Sequence, residues 1–79
     1  MSEYMKIAID KIGQRYSELR IIDPGAETAM VRSMQFYGQM TPVVVCQTEK
    51  RPEMIDGFKR LRAGIKLNFT QLSARIFPG

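Results

Sequence analysis

The sequence has no histidine, no tryptophan and a single cysteine, Cys46. One cysteine cannot close an internal disulfide. The lack of histidine excludes zinc sites built from Cys and His, and removes the commonest general base at neutral pH. Any metal would have to be a hard cation on carboxylates. No stretch approaches the roughly 20 apolar residues of a membrane span, and the opening MSEYMKIAID carries acids where a secretory signal places its apolar region. A cytoplasmic protein with no membrane partner is therefore expected. The chain of 79 residues accommodates one small domain, 1–79, and a multi-domain enzyme is ruled out.

Acid is also missing from one part of the chain. The formal charge is +4, yet residues 1–56 hold seven basic and all eight acidic residues. Residues 57–79 hold Lys59, Arg60, Arg62, Lys66 and Arg75 with no acid. Four of these cations fall between 59 and 66, a density that attracts phosphate groups on nucleotides, nucleic acid or anionic membrane. A solvated helix face accounts equally well for so small a cluster.

Hydrophobic residues at 44% against 25% charged give an ordinary globular balance, and their pattern predicts a sequence of elements. Ile7 and Ile9 predict a short strand over 6–10, and residues 13–20, with Tyr16 and Arg20, read as a loop. Asp23-Pro24 is a helix start, because Asp caps free N–H groups and Pro at the first helical position forfeits no hydrogen bond. The helix is expected over 24–37, with Ala26, Ala29, Met30, Met34 and Tyr37 on one inward stripe and Gly38 as its left-handed cap. The run Val43-Val44-Val45-Cys46 predicts a buried strand, with Cys46 a small buried hydrophobe. It is hairpinned through an irregular loop to a strand over 53–55. Residues 58–67 predict a second helix with Phe58, Leu61 and Ile65 inward and Lys59, Arg62 and Lys66 on another face. Asn68 ends it, and 72–76 form a last strand. The fold class is α+β, a small mixed sheet with two main helices.

The stretch Asp56-Gly57-Phe58-Lys59-Arg60-Leu61-Arg62-Ala63 carries the chemistry. A strand enters a glycine turn and a basic helix starts at once. Free N–H groups, the positive helix end and cationic side chains could then converge on one phosphate. Arg grips two phosphate oxygens through its planar fork, whereas Lys acts as a point charge. An ordinary tight turn between strand and helix explains the same residues.

In its whole pattern the chain resembles the N-terminal domain of the ParB partition-protein family, which shares its fold with sulfiredoxin. The resemblance runs from about Ile7 to Phe77. It is carried by Ile9-Asp10-Lys11-Ile12, Arg20, Ser33-Met34-Gln35-Phe36-Tyr37-Gly38, Gly38-Gln39-Met40-Thr41-Pro42-Val43-Val44-Val45, the stretch 56–63 and the closing strand. It implies a cytosine-nucleotide site, with CTP and magnesium as the cofactor. Gly57, Lys59 and Arg60 match the glycine and two arginines of a Gly-Glu-Arg-Arg box that grips the triphosphate. Arg20 matches the arginine of the first segment, and Gly38, Thr41 and Pro42 match a glycine-to-proline turn. Phe58 stands where the box has glutamate, so the role of that acid is missing unless Asp56 substitutes. Sulfiredoxin needs a cysteine at this place, so its activity is not expected. In the family, DNA-reading and dimerisation segments follow this domain, and they are expected to be missing from the 79 residues here. Nucleotide, DNA through adjoining segments and a homodimer are the expected partners, in chromosome or plasmid partition on a nucleoid or plasmid.

Three functions follow as expectations. The first is a CTP- or phosphate-binding regulatory module. The second is a metal-dependent nuclease or nucleotide-using enzyme in which Asp56, Asp10 or Glu18 supplies a carboxylate, although without histidine the water-activating base would have to be one of these acids. The third is a DNA backbone-contacting domain using Lys59, Arg62, Lys66 and Arg75, blind to sequence and steeply salt-dependent.

Overall fold

The computed structural model describes residues 3–15 and 22–78, with Glu3 described by its backbone. Four strands, β1 (Glu3–Ala8), β2 (Val43–Gln47), β3 (Pro52–Asp56) and β4 (Gln71–Phe77), form one mixed sheet in the order β1-β4-β2-β3. β4 is central, antiparallel to β1 and parallel to β2, and β2 and β3 form an antiparallel hairpin. Two helices, α1 (Pro24–Tyr37) and α2 (Phe58–Lys66), complete the domain.

Local chemistry explains most boundaries. The Asp23 carboxylate accepts from the N–H groups of Gly25 (3.0 Å) and Ala26 (3.3 Å), so α1 starts where a capping side chain and Pro24 coincide. α2 ends in paired reverse bonds. Asn68 N–H donates to the Ile65 carbonyl (3.1 Å) and Phe69 N–H to the Gly64 carbonyl (2.8 Å), with Asn68 at φ 62. The hairpin loop turns on Thr48, whose hydroxyl donates to the Arg51 carbonyl (2.6 Å) and accepts from the N–H groups of Lys50 and Arg51.

Both helices lie on one face of the sheet. Ile7, Val43, Val45, Met54, Leu72 and Ala74 point into a core with Phe58, Leu61 and Met34. The first strand begins earlier than the alternation of Ile7 and Ile9 implied. The chain leaves β1 after Ala8, and Ile9 starts a 3-10 turn (Ile9–Lys11) anchored by its N–H on the Thr70 carbonyl (3.0 Å). The inward stripe of α1 is also narrower than expected. Met34 is buried and Met30 half-buried, but Ala29 is exposed and Tyr37 is 74% exposed. α1 packs principally on α2, and a helix seated on one neighbouring helix needs only a thin apolar seam. On α2 the expected inward Ile65 is exposed and Gly64 takes its place, where a Cβ would stand 3.3 Å from Leu72 and Ile9 side-chain atoms. With Phe58, Leu61 and Gly64 facing the sheet, Ile65 stands about 100° further round the helix and faces outward. Cys46 is half-buried rather than buried, its thiol directed at the carbonyls of Gln47 (3.8 Å) and Pro78 (4.0 Å).

Candidate functional site

β3 ends at Asp56, and Gly57 makes the turn into α2 at φ 97, ψ 23, a left-handed conformation that costs a glycine little. A Cβ on Gly57 would stand 2.9 Å from Val43 Cγ1 and 3.1 Å from Val43 Cα. The backbone of the box therefore lies directly on the start of β2, one residue after Pro42. The leading N–H groups of a helix have no intrahelical carbonyl. Gly57 offers them no side-chain cap, and the first turn of α2 holds no acid. The positive helix end is flanked by exposed Lys59 and half-buried Arg60. Phe58, 4% exposed, is a core residue, which explains why an apolar side chain is accommodated in the box.

The facing turn is held from an unexpected direction. Gly38, at φ 71, closes α1 with its N–H on the Met34 carbonyl (3.0 Å). Gln39 then clamps β4. Its Oε1 accepts from Ser73 N–H (2.6 Å), and its Nε2 donates to the carbonyls of Ser73 (2.8 Å) and Thr41 (3.0 Å). β2 begins opposite Ala74, so this carboxamide supplies the hydrogen bonds that a strand residue would make one step earlier. Thr41 is exposed and Pro42 half-buried at the end of that brace. Gln39 escaped sequence reasoning. Its one signal was a side chain with both donor and acceptor immediately before a strand.

Charge beside the box is already partly matched. Arg62 reaches across to α1, donating through Nε to Glu27 Oε1 (2.5 Å) and through Nη2 to Glu27 Oε2 (2.8 Å). Hydrogen bonding to Arg62 holds the Glu27 carboxyl below its usual range against the opposing effect of burial, and Lys59 adds to the lowering. Glu27 in turn holds the Arg62 guanidinium up. Arg62 is therefore committed to α1, while Lys59 and Arg60 remain around the helix end.

A second carboxylate sits on β3, the edge strand that leads into Gly57. Glu53 on β3 is 3% exposed, and its Oε1 accepts from Arg15 N–H (3.2 Å) while Oε2 meets Arg51 Nε (3.3 Å). Burial pushes its carboxyl up, but the Arg15 amide and the Arg51 side chain outweigh that and hold it below the usual range. Gly13 lies against this carboxylate so closely that a Cβ would collide with it. Gly13 also extends the sheet edge, its N–H on the Pro52 carbonyl (2.8 Å) and its carbonyl accepting from Met54 N–H (2.9 Å).

Not every expected site residue joins this arrangement. Arg20, with Tyr16 and Glu18, lies outside the described residues. Asp56 is exposed one residue before Gly57. Asp10 sits on the 3-10 turn, which packs at the Gly64 end of α2, far from the box. Lys66 is exposed at that same end, about 10 Å along the helix from Lys59. Arg75 points to the other face of the sheet. Lys59, Arg62 and Lys66 follow one side of α2 at i, i+3 and i+7, and Arg75 is the one of the four that does not share their surface. Among the described residues no three His, Cys, Asp or Glu side chains gather as a metal cluster. A helix start with Lys59 and Arg60 beside it has the chemistry to attract an anion.

No curated protein matches the chain by sequence at a significant level. Solved structures share its fold. Sulfiredoxin from Arabidopsis thaliana superposes with a TM-score of 0.88 at 19% identity, covering 98% of this chain and 86% of that one. The C-terminally truncated partition protein ParB from Caulobacter crescentus, complexed with CTP-gamma-S, gives 0.82 at 14% identity and covers 98% of this chain. The present chain spans 45% of that protein. A free serine kinase in complex with AMP gives 0.76 at 19% identity, covering 94% of this chain and 30% of that one. Among the described residues no helix is long and apolar enough to cross a membrane. Residues 1–77 match the ParB N-terminal domain family, and the chain belongs to it.

Proposed function

We propose that the chain is a nucleotide-responsive module whose cleft between the start of α2 and the turn at 38–42 receives the phosphates of a nucleoside triphosphate, CTP foremost. The observation that carries this is the seating of Gly57 on Val43, which puts a helix start with no acid in its first turn beside Thr41 and Pro42. Lys59 supplies a point charge and Arg60 a two-pronged grip. Glu27, the acid of the first turn of α1, is hydrogen-bonded to Arg62 rather than to Lys59 or Arg60, and its pull on Lys59 is shared with that guanidinium. Magnesium fits as a companion of the triphosphate, since that ion is commonly held by substrate phosphates with few protein ligands, and Asp56 is the nearest carboxylate for it. The complex of the Caulobacter protein with CTP-gamma-S supports the choice of nucleotide. Occupancy then changes how the domain pairs with a second copy or with an adjoining DNA-binding segment.

Phe58 in the core and Cys46 across the sheet from α2 give thiol chemistry at the box no support. Calorimetric titration with CTP, ATP and GTP in magnesium, with Arg60→Ala as control, tests the proposal. It expects CTP to bind most tightly and the variant to lose at least about tenfold in affinity, about 1.4 kcal/mol. No binding of any of the three at millimolar concentration would overturn it.

A further inference from the structure

The sheet has a second face, which neither helix covers. Alternation along β1 and β4 sends Ile7, Leu72 and Ala74 into the core and sends Tyr4, Lys6, Gln71, Ser73, Arg75 and Phe77 outward. None of these six is acidic. The outward acids lie on β3, where Glu53 is buried against Arg51 and the Arg15 amide and Asp56 ends the strand. The side of the face made by β1 and β4 is therefore basic and aromatic.

Its groups are arranged in two adjoining sets. Tyr4, 66% exposed, pairs with Arg75, and the guanidinium of Arg75 lies 5.0 Å from the centre of the Phe77 ring. Tyr4 and Phe77 are diagonal neighbours across the strand pair, about 7–8 Å apart by sheet geometry. Beside them opens a shallow cavity of about 220 Å³ lined by Lys6, Gln39, Phe69, Gln71 and Ser73. Gln39 is occupied with backbone groups, which leaves the ammonium of Lys6, the carboxamide of Gln71 and the hydroxyl of Ser73 as groups able to read a ligand.

We propose that this open face binds single-stranded nucleic acid, with bases against Tyr4 and Phe77 and phosphates against Lys6 and Arg75. Aromatic side chains exposed on a sheet surface stack unpaired bases, and interleaved cations follow the backbone. In a duplex the bases are stacked on one another and hidden from these rings. The site is separate from the cleft at α2, from which the sheet divides it, and it does not depend on the nucleotide proposal.

The test is fluorescence anisotropy of the whole chain with labelled dT12, its RNA counterpart and a 12-base-pair duplex at low salt. Both single strands are expected to bind more tightly than the duplex. Tyr4→Ala should weaken binding about tenfold and Tyr4→Trp should restore it. Lys6→Ala and Arg75→Ala should each reduce the salt slope by about 0.7, and Arg60→Ala should leave affinity unchanged. Tyr4 is largely exposed, so unaltered circular dichroism in Tyr4→Ala separates lost stacking from lost folding. Phe77→Ala serves as the second variant if it does not. Failure to bind either single strand, equal binding of the duplex, wild-type affinity in the folded aromatic variants, or loss of binding in Arg60→Ala would each overturn the proposal.

Discussion

Gly57 and Glu53 show how much a single position can carry in so small a domain. At Gly57 two demands coincide, a positive φ and the absence of a side chain facing Val43. Gly57→Ala should cost about 1–3 kcal/mol in urea denaturation. If the cleft binds phosphate, titration of the same variant should show CTP affinity down by about tenfold or more. At Glu53 the measurable consequence is pH dependence. Its carboxyl is held below the ordinary value of 4.5, so the folded state binds its proton less readily than the unfolded state. Its contribution to stability is complete above that value and is lost as pH falls through the lower folded-state value. Urea midpoints should therefore fall on acidification below about pH 4.5, and more steeply in wild type than in Glu53→Gln. Equal slopes would mean that Arg51 and the Arg15 amide do not hold the charge. Gly57 was legible in the sequence, since a glycine between a strand and a basic helix has an evident reason. Glu53 was not, because one acid in a short strand looks solvated until the strand's neighbour is known.

Among the elements, α2 gathers most of the consequences. Its inward residues Phe58, Leu61 and Ala63 seat it on the sheet, its first turn carries the proposed phosphate contacts, and Arg62 ties it to α1. The pair is partly buried, with side-chain exposures of 27% and 21%, and uses both guanidinium prongs. A double-mutant cycle with Glu27→Ala and Arg62→Ala should give a coupling of about 1 kcal/mol at neutral pH. The coupling should fade below about pH 4.5 as Glu27 protonates, because its folded-state carboxyl lies under the ordinary range. A coupling near zero at pH 7 would leave α1 and α2 joined by apolar contact alone. The helix boundaries were readable beforehand, because capping by Asp23 and reversal at Asn68 are local chemistry. The faces were read less well. Spacing placed Tyr37 and Ile65 inward, but the partner and tilt of a helix decide which part of an apolar stripe is used.

For the whole molecule, the sheet order separates two chemistries. The cleft with Lys59 and Arg60 belongs to the helical side, while Tyr4, Lys6, Arg75 and Phe77 share the open side. A ligand that binds only the folded state adds its binding energy to stability, about 2.7 kcal/mol at a hundredfold excess over Kd. In a domain of this size that is a rise in Tm of roughly 10–20 °C. Saturating CTP with magnesium should shift thermal unfolding of wild type by about this much and that of Arg60→Ala by no more than about half as much. A shift of equal size in both proteins would place the nucleotide elsewhere.

Sequence by itself determined the element order, both helices within a residue, the hairpin, the glycine turn into a basic helix, and the family resemblance that the match over residues 1–77 bears out. These depend on caps, turns, β-branched runs and alternation, which act within a few residues along the chain. Tertiary structure alone decided that Gln39 clamps Ser73, that Arg62 belongs to Glu27, that Glu53 fills the space beside Gly13, and that Arg75 is parted from the cations of α2. Each of these is set by which elements lie side by side, and it joins or separates residues too far apart along the chain for local sequence pattern to relate them.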